Sequence, residues 1–70
     1  MGNVAAHITG TVVKVEKAPG DAVQAGEPIV ILESMKMEMP VESPADGRVK
    51  EIRCAEGQAV SEGDVLAVLE

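Results

Sequence analysis

Residues 1–33 align with residues 38–70 without a gap, and ten of the aligned pairs are identical. The identities are Val4/Val41, Gly10/Gly47, Val12/Val49, Ala18/Ala55, Gly20/Gly57, Ala22/Ala59, Val23/Val60, Gly26/Gly63, Leu32/Leu69 and Glu33/Glu70. Val15/Ile52, Glu27/Asp64, Ile29/Leu66 and Ile31/Val68 add conservative pairs. A unit this short cannot bury its own apolar face, so the two copies must pack against each other, with approximate two-fold symmetry. Six of the seven glycines fall into matched pairs. These mark places where both copies need a positive φ or a close backbone approach.

The repeated unit reads as β. Val4 to Ile8 is a short, mostly apolar stretch, and after Gly10 the run Thr11 to Glu16 is rich in β-branched residues. Pro19-Gly20-Asp21 and Ala25-Gly26-Glu27-Pro28 are turn signals around Ala22-Val23. Ile29 to Leu32 then reads as a strand buried on both faces. The second copy repeats the plan with Arg48–Arg53, turns at Gly57 and Gly63, and Val65–Leu69. Val12 and Val15, like Val49 and Ile52, are three apart, which breaks strict alternation and predicts a bulge in each copy. No helical period is sustained, and the chain has no aromatic residue, so a core must come from Val, Ile, Leu, Met and Ala. The expected fold is all-β, a flattened barrel or sandwich.

Seventy residues with a formal charge of −6 exclude several functions. A core this small leaves little room for a catalytic pocket of several hundred Å³, so the chain is not expected to be an enzyme by itself. Nucleic acid and anionic membranes both require clustered Lys and Arg. No apolar run approaches the length of a membrane span, and the first residues lack a secretory pattern. Gly2 would suit myristoylation, but Ala6 stands where that motif has Ser or Thr. Cys54 has no partner for a disulfide, which fits a reducing cytoplasm. It reads as a small packing residue, since the one candidate base for a nucleophilic thiol is His7.

The two copies are joined by Ser34, Met35, Lys36 and Met37, which have no counterpart in the repeat. Symmetry makes this connector a hairpin tip, away from the chain ends. In a two-residue turn Met35 and Lys36 take the corners, where types I′ or II′ need positive φ and favour Asn or Gly. Met-Lys lacks that chemistry, so the tip should be strained, as functional sites often are. Lys36 would project outward, with Met35 beside it as an adaptable apolar surface. In the outgoing strand Met37, Met39 and Val41 share one face, with Glu38 and Glu42 on the other.

Glu33-Ser34-Met35-Lys36-Met37-Glu38 resembles the attachment motif of the biotinyl/lipoyl attachment domain family. The likeness runs the length of the chain and comes nearest to the small stand-alone biotin carboxyl carrier, or biotin/lipoyl attachment, proteins. It implies two four-stranded sheets with quasi two-fold symmetry and one domain over residues 1–70, a monomer when isolated. The bacterial acetyl-CoA carboxylase carrier has a thumb inserted in its first half, for which the ungapped repeat leaves no room. Many members have Ala where this chain has Ser34, a change expected to slow modification at most.

The resemblance further implies that Lys36 carries covalent biotin, with Met35 and Met37 as the flanks read by a biotin protein ligase. Only a neutral amine attacks biotinyl-adenylate, so the ligase has to take the proton. A biotin carboxylase would then load carboxyl from bicarbonate with ATP, and a carboxyltransferase would pass it to an acyl-CoA or keto acid. The carrier's share is tethering, at an effective concentration of order mM.

The nearest rival is lipoate, which related domains carry on a hairpin-tip lysine flanked by Asp and Ala. Cu(I) binding by the alternating Met35, Met37 and Met39 is a second reading, disfavoured by the lack of nearby His or Cys. A structural barrel of the membrane-fusion adaptor type is a third, but those split the halves by a long helical insertion. Taken alone, Lys36 could be an ordinary solubilising lysine. Glu33 recurs as Glu70 and has a structural explanation, whereas Glu38 has no such counterpart and is a candidate for ligase contact.

Overall fold

In the computed structural model, which describes residues 2–70, every strand has a counterpart in the other copy. The strands are β1 (Gly2–Ala5), β2 (Gly10–Val15), β3 (Ala22–Val23), β4 (Pro28–Ser34), β5 (Met37–Glu42), β6 (Gly47–Ile52), β7 (Ala59–Val60) and β8 (Val65–Leu69). They form two antiparallel four-stranded sheets, β1-β8-β6-β3 and β5-β4-β2-β7. Exchanging the copies turns one order into the other. The result is a flattened sandwich, two separate sheets with no closed barrel.

Each copy spans both sheets. A central pair from one copy (β2 and β4, or β6 and β8) is flanked by edge strands from the other. Loops hold the exchange in place with matched hydrogen bonds. The Ala6 amide donates to the Asp64 carbonyl and the Ser43 amide to that of Glu27, both at 2.8 Å. Likewise the Gly20 amide donates to the Val49 carbonyl at 2.8 Å and the Gly57 amide to the Val12 carbonyl at 2.7 Å. Neither copy satisfies these backbone groups alone, and an unpaired buried amide costs about as much as a lost hydrogen bond.

The core follows the same rule. Its buried apolar members are Val4, Val12, Val23, Ile29, Val30 and Leu32, matched by Val41, Val49, Val60, Leu66, Ala67 and Leu69, together with Ala6. Ala6 has the buried Ser43 as its counterpart, whose hydroxyl donates to the Ala45 carbonyl at 2.6 Å, so the polar substitution is satisfied. Burying one Val, Leu or Ile side chain is worth about 1.5–3 kcal/mol, which lets an aromatic-free core suffice.

Register shifts between Val12 and Lys14 in the β2–β4 ladder, and between Val49 and Glu51 in β6–β8, are the expected bulges. They turn Val12 and Val49 fully into the core while β2 and β6 stay in their sheets. Within the apolar stretch from Val4 to Ile8, β1 ends at Ala5, because the Ala6 amide and carbonyl leave the β1–β8 ladder to bond Asp64 and Gly63. One expectation needs correction: Ile29–Leu32 is not buried throughout. Ile31 is only half-buried, because a two-layer sandwich covers one face of each sheet and Ile31 points to the other.

Four glycines, Gly20, Gly26, Gly57 and Gly63, have φ from 89° to 95°, one at each equivalent turn. Gly10 and Gly47 are matched in sequence but not in need. A Cβ on Gly10 would lie 2.5 Å from the Glu33 carbonyl oxygen, whereas on Gly47 the nearest atom is the Glu70 carbonyl oxygen at 3.6 Å. Gly10→Ala is therefore expected to destabilise the domain by about 1–3 kcal/mol through overpacking against backbone. Gly47→Ala should stay within about 0.5 kcal/mol of the parent. Urea midpoints for the two variants decide it, and equal losses would refute the close-approach argument. No helix among the described residues is long and apolar enough to cross a membrane.

Candidate functional site

β4 and β5 form the longest ladder, and its last rungs are Glu33↔Glu38 and Ser34↔Met37. Met35 and Lys36 close it with φ of 54° and 65°, the two left-handed corners of a type I′ turn. Among the described residues, every other positive φ belongs to glycine. A side chain in this region costs about 1–2 kcal/mol. The fold therefore uses glycine where only geometry matters and keeps side chains at the tip despite the strain. Replacing the pair with Asn-Gly (Met35→Asn with Lys36→Gly) should relieve it, raising stability by about 1–2 kcal/mol. A higher urea midpoint with unchanged slope is the expected readout, and an unaltered midpoint would show that the tip is unstrained.

The strain supports exposure. Met35 is 91% and Met37 62% exposed, and they are the large apolar side chains left in solvent among the described residues. Lys36 between them is exposed. Among the described residues it takes part in no side-chain hydrogen bond or ion pair; the ion pairs present join Lys14 to Glu16, Lys17 to Glu27 and Arg53 to Glu51. Met37, Met39 and Val41 share a face but are graded along β5 from exposed through half-buried to buried. Only the outer end of the strand clears the core.

One rung below the turn, Glu33 and Glu38 stand directly opposite each other, both exposed. Facing like charges weaken a ladder by a few tenths of a kcal/mol. They put two acidic residues on the rung next to the tip. The β1–β8 ladder, in which Gly2 pairs with Leu69, is the symmetry mate of β4–β5, in which Met39 pairs with Leu32. The Gly2–Leu69 end of that ladder thus lies at the place equivalent to the tip end, on the other side of the two-fold axis.

The outer face of the tip-bearing sheet holds an open groove of about 550 Å³, lined by Val13, Lys14, Glu16, Pro28, Ile31, Glu38 and Pro40. It escapes a reading of either copy alone. The copies must be compared: Val13, Pro28 and Pro40 are matched by Lys50, Val65 and Asn3. The remaining candidates do not join the tip. Cys54 is half-buried against the core, and burial pushes its thiol pKa up, which makes it a poor nucleophile. His7 is exposed. No group of three or more His, Cys, Asp or Glu that could hold a metal ion exists among the described residues.

The chain is similar to known proteins in both sequence and fold. The biotin/lipoyl family described as "Biotin-requiring enzyme" matches residues 1–69. The chain is similar to the biotin/lipoyl attachment protein of Bacillus subtilis, 44% identical over 94% of this chain and 90% of that protein. It is 43% identical to a biotin carboxyl carrier protein of acetyl-CoA carboxylase from Solanum lycopersicum, over 97% of each. Among solved structures, the urea carboxylase of Kluyveromyces lactis superposes with a TM-score of 0.93 at 36% identity, covering 99% of this chain but only 6% of that one. The lipoyl domain of the Azotobacter vinelandii 2-oxoglutarate dehydrogenase complex gives 0.73 at 42% identity, covering 89% of this chain and 78% of that domain. A family match over residues 1–69, with relatives 44% and 43% identical over nearly their whole length, leaves one assignment: the chain belongs to the biotin/lipoyl attachment family.

Proposed function

We propose that Lys36 is the residue biotinylated in this biotin carboxyl carrier domain, with Met35 and Met37 as the flanks read by a biotin protein ligase. The observation that carries it is the turn: a lysine and its neighbour held at positive φ where glycine serves every other turn. An exposed amine with no competing partner among the described residues fits a covalent amide, because nothing has to be displaced before it reacts. Biotin, once attached, supplies a carrier for a carboxyl group between two catalytic sites.

The chain's own part is mechanical. The β4–β5 ladder gives the tip a fixed direction, and the core beneath holds that ladder through Leu32 and Val41. A rigid stem with a mobile four-carbon side chain keeps the load near both partner sites, at an effective concentration of order mM. The apolar thioethers of Met35 and Met37 offer contact area that an enzyme can cover around the amine. Glu38, at the tip end of the groove, is a further ligase contact. The partners are a biotin protein ligase, a biotin carboxylase and a carboxyltransferase; the setting is cytoplasmic, and the isolated domain is a monomer over residues 1–70.

Lipoate is the second reading, because a lipoyl domain is among the structural relatives. Its lower TM-score and the methionine flanks favour biotin. Co-expression with a biotin ligase and, separately, a lipoate ligase, followed by intact mass measurement, separates them. Quantitative gain of a biotinyl group and little or no lipoyl gain is expected. The reverse pattern would overturn the assignment.

A further inference from the structure

We propose that the thioethers of Met35 and Met37 are an oxidation site that governs loading of Lys36, their sulfoxides closing the tip to the ligase. This rests on the proposed biotinylation of Lys36 and names a control on that same site.

The two sulfurs are on side chains 91% and 62% exposed, whereas Met39 is half-buried further down β5. The competing soft nucleophile, Cys54, is half-buried against the core, where burial raises its thiol pKa. Among Met35, Met37 and Met39, a peroxide therefore meets the tip pair first. The step balances without further reagents. The peroxide O–O bond breaks, its terminal oxygen forms a new S–O bond, and the thioether is oxidised to a sulfoxide. The peroxide is reduced to water or an alcohol.

The consequences follow from where the side chains lie. Neither methionine belongs to the core, so oxidation leaves the fold intact. It does convert the apolar surface on both sides of the amine into a polar, chiral one. An enzyme that covers that surface must then bury a strong acceptor without a partner, which costs enough for about a tenfold loss of rate or more. Enzymatic reduction by thiols returns the thioether and makes the change reversible.

The test uses the unmodified domain. It is treated with hydrogen peroxide and mapped at the peptide level, which separates the tip methionines from Met1. It is then biotinylated by a biotin ligase with biotin and ATP. Oxidation in the order Met35, Met37, Met39 is expected, with an initial biotinylation rate about tenfold lower and an unchanged far-UV spectrum. Treatment with both epimer-specific methionine sulfoxide reductases should restore the rate. A variant with Met35→Leu and Met37→Leu, which keeps apolar volume but has no thioether, should be biotinylated equally well before and after peroxide.

A fully oxidised tip biotinylated within twofold of the untreated rate would overturn the inference. So would a loss that the reductases do not reverse, or an equal loss in the leucine variant, since each places the damage elsewhere. If the leucine variant is a poor substrate from the start, the reductase result decides. Absence of any biotin on untreated protein is a different failure, which sinks the carrier reading and this inference with it.

Discussion

Lys36→Arg is expected to abolish biotinylation completely while leaving stability within about 0.5 kcal/mol of the parent. Arginine retains the charge and length at the tip, and an exposed corner makes no packing demand. The backbone cost at φ 65° is the same for both residues. What is lost is nucleophilicity. The guanidinium stays protonated at any accessible pH and has no free lone pair for attack on an activated acyl group. Intact mass after co-expression with a biotin ligase should show the parent fully shifted and the variant at its unmodified mass. Overlaid urea curves should show the fold unchanged. A biotinylated variant would mean that another of the chain's lysines, Lys14, Lys17 or Lys50, is the acceptor.

Leu32→Ala should have the largest effect on stability, a loss of about 2–5 kcal/mol. The side chain is fully buried, and β4 around it is hydrogen-bonded on both sides, to β2 and to β5. A chain of this size has roughly 0.05–0.15 kcal/mol of stability per residue, so the change consumes about a fifth of it at least. Leu32 is also the step that couples core to site. It pairs with Met39 only a few rungs below the tip, so an emptied core position loosens the stem that aims Lys36. Denaturant unfolding measures the first effect, and amide exchange along β4 and β5 measures the second. By contrast, Ile31→Ala on the outer face should cost much less, since Ile31 is half-buried and its loss opens no enclosed cavity. Equal losses for Leu32→Ala and Ile31→Ala would mean that the outer face is covered.

Much of the architecture was legible before any coordinates. Paired Val and Leu positions, with the glycine pairs Gly20/Gly57 and Gly26/Gly63, are a direct record of shared backbone, because there the same burial and φ recur in both copies. The three-residue spacing of Val12 and Val15 announced a bulge for the same reason. At the tip, Met35-Lys36 violated turn chemistry openly, and the observed φ values are the physical form of that violation. Reading Ile29 to Leu32 as buried on both faces failed because a run of apolar residues cannot say how many layers a fold has. The end of β1 at Ala5 was not legible, because the break at Ala6 is made by a partner loop distant in sequence.

By itself, then, the sequence determined that the protein is β, that it is built twice, and that a lone lysine stands at the junction of the copies. These are local matters of residue type, spacing and turn chemistry. Tertiary structure alone decided that the copies interleave, each giving the central strands of one sheet and the edges of the other. It also decided that Gly10 lies tight against a distant carbonyl where Gly47 has room, and that Met37 clears the core while Met39 does not. The physical reason is common to all three. Each depends on which distant backbone comes to lie beside a residue, and pairing energy between strands is nearly blind to the order in which the chain supplies them.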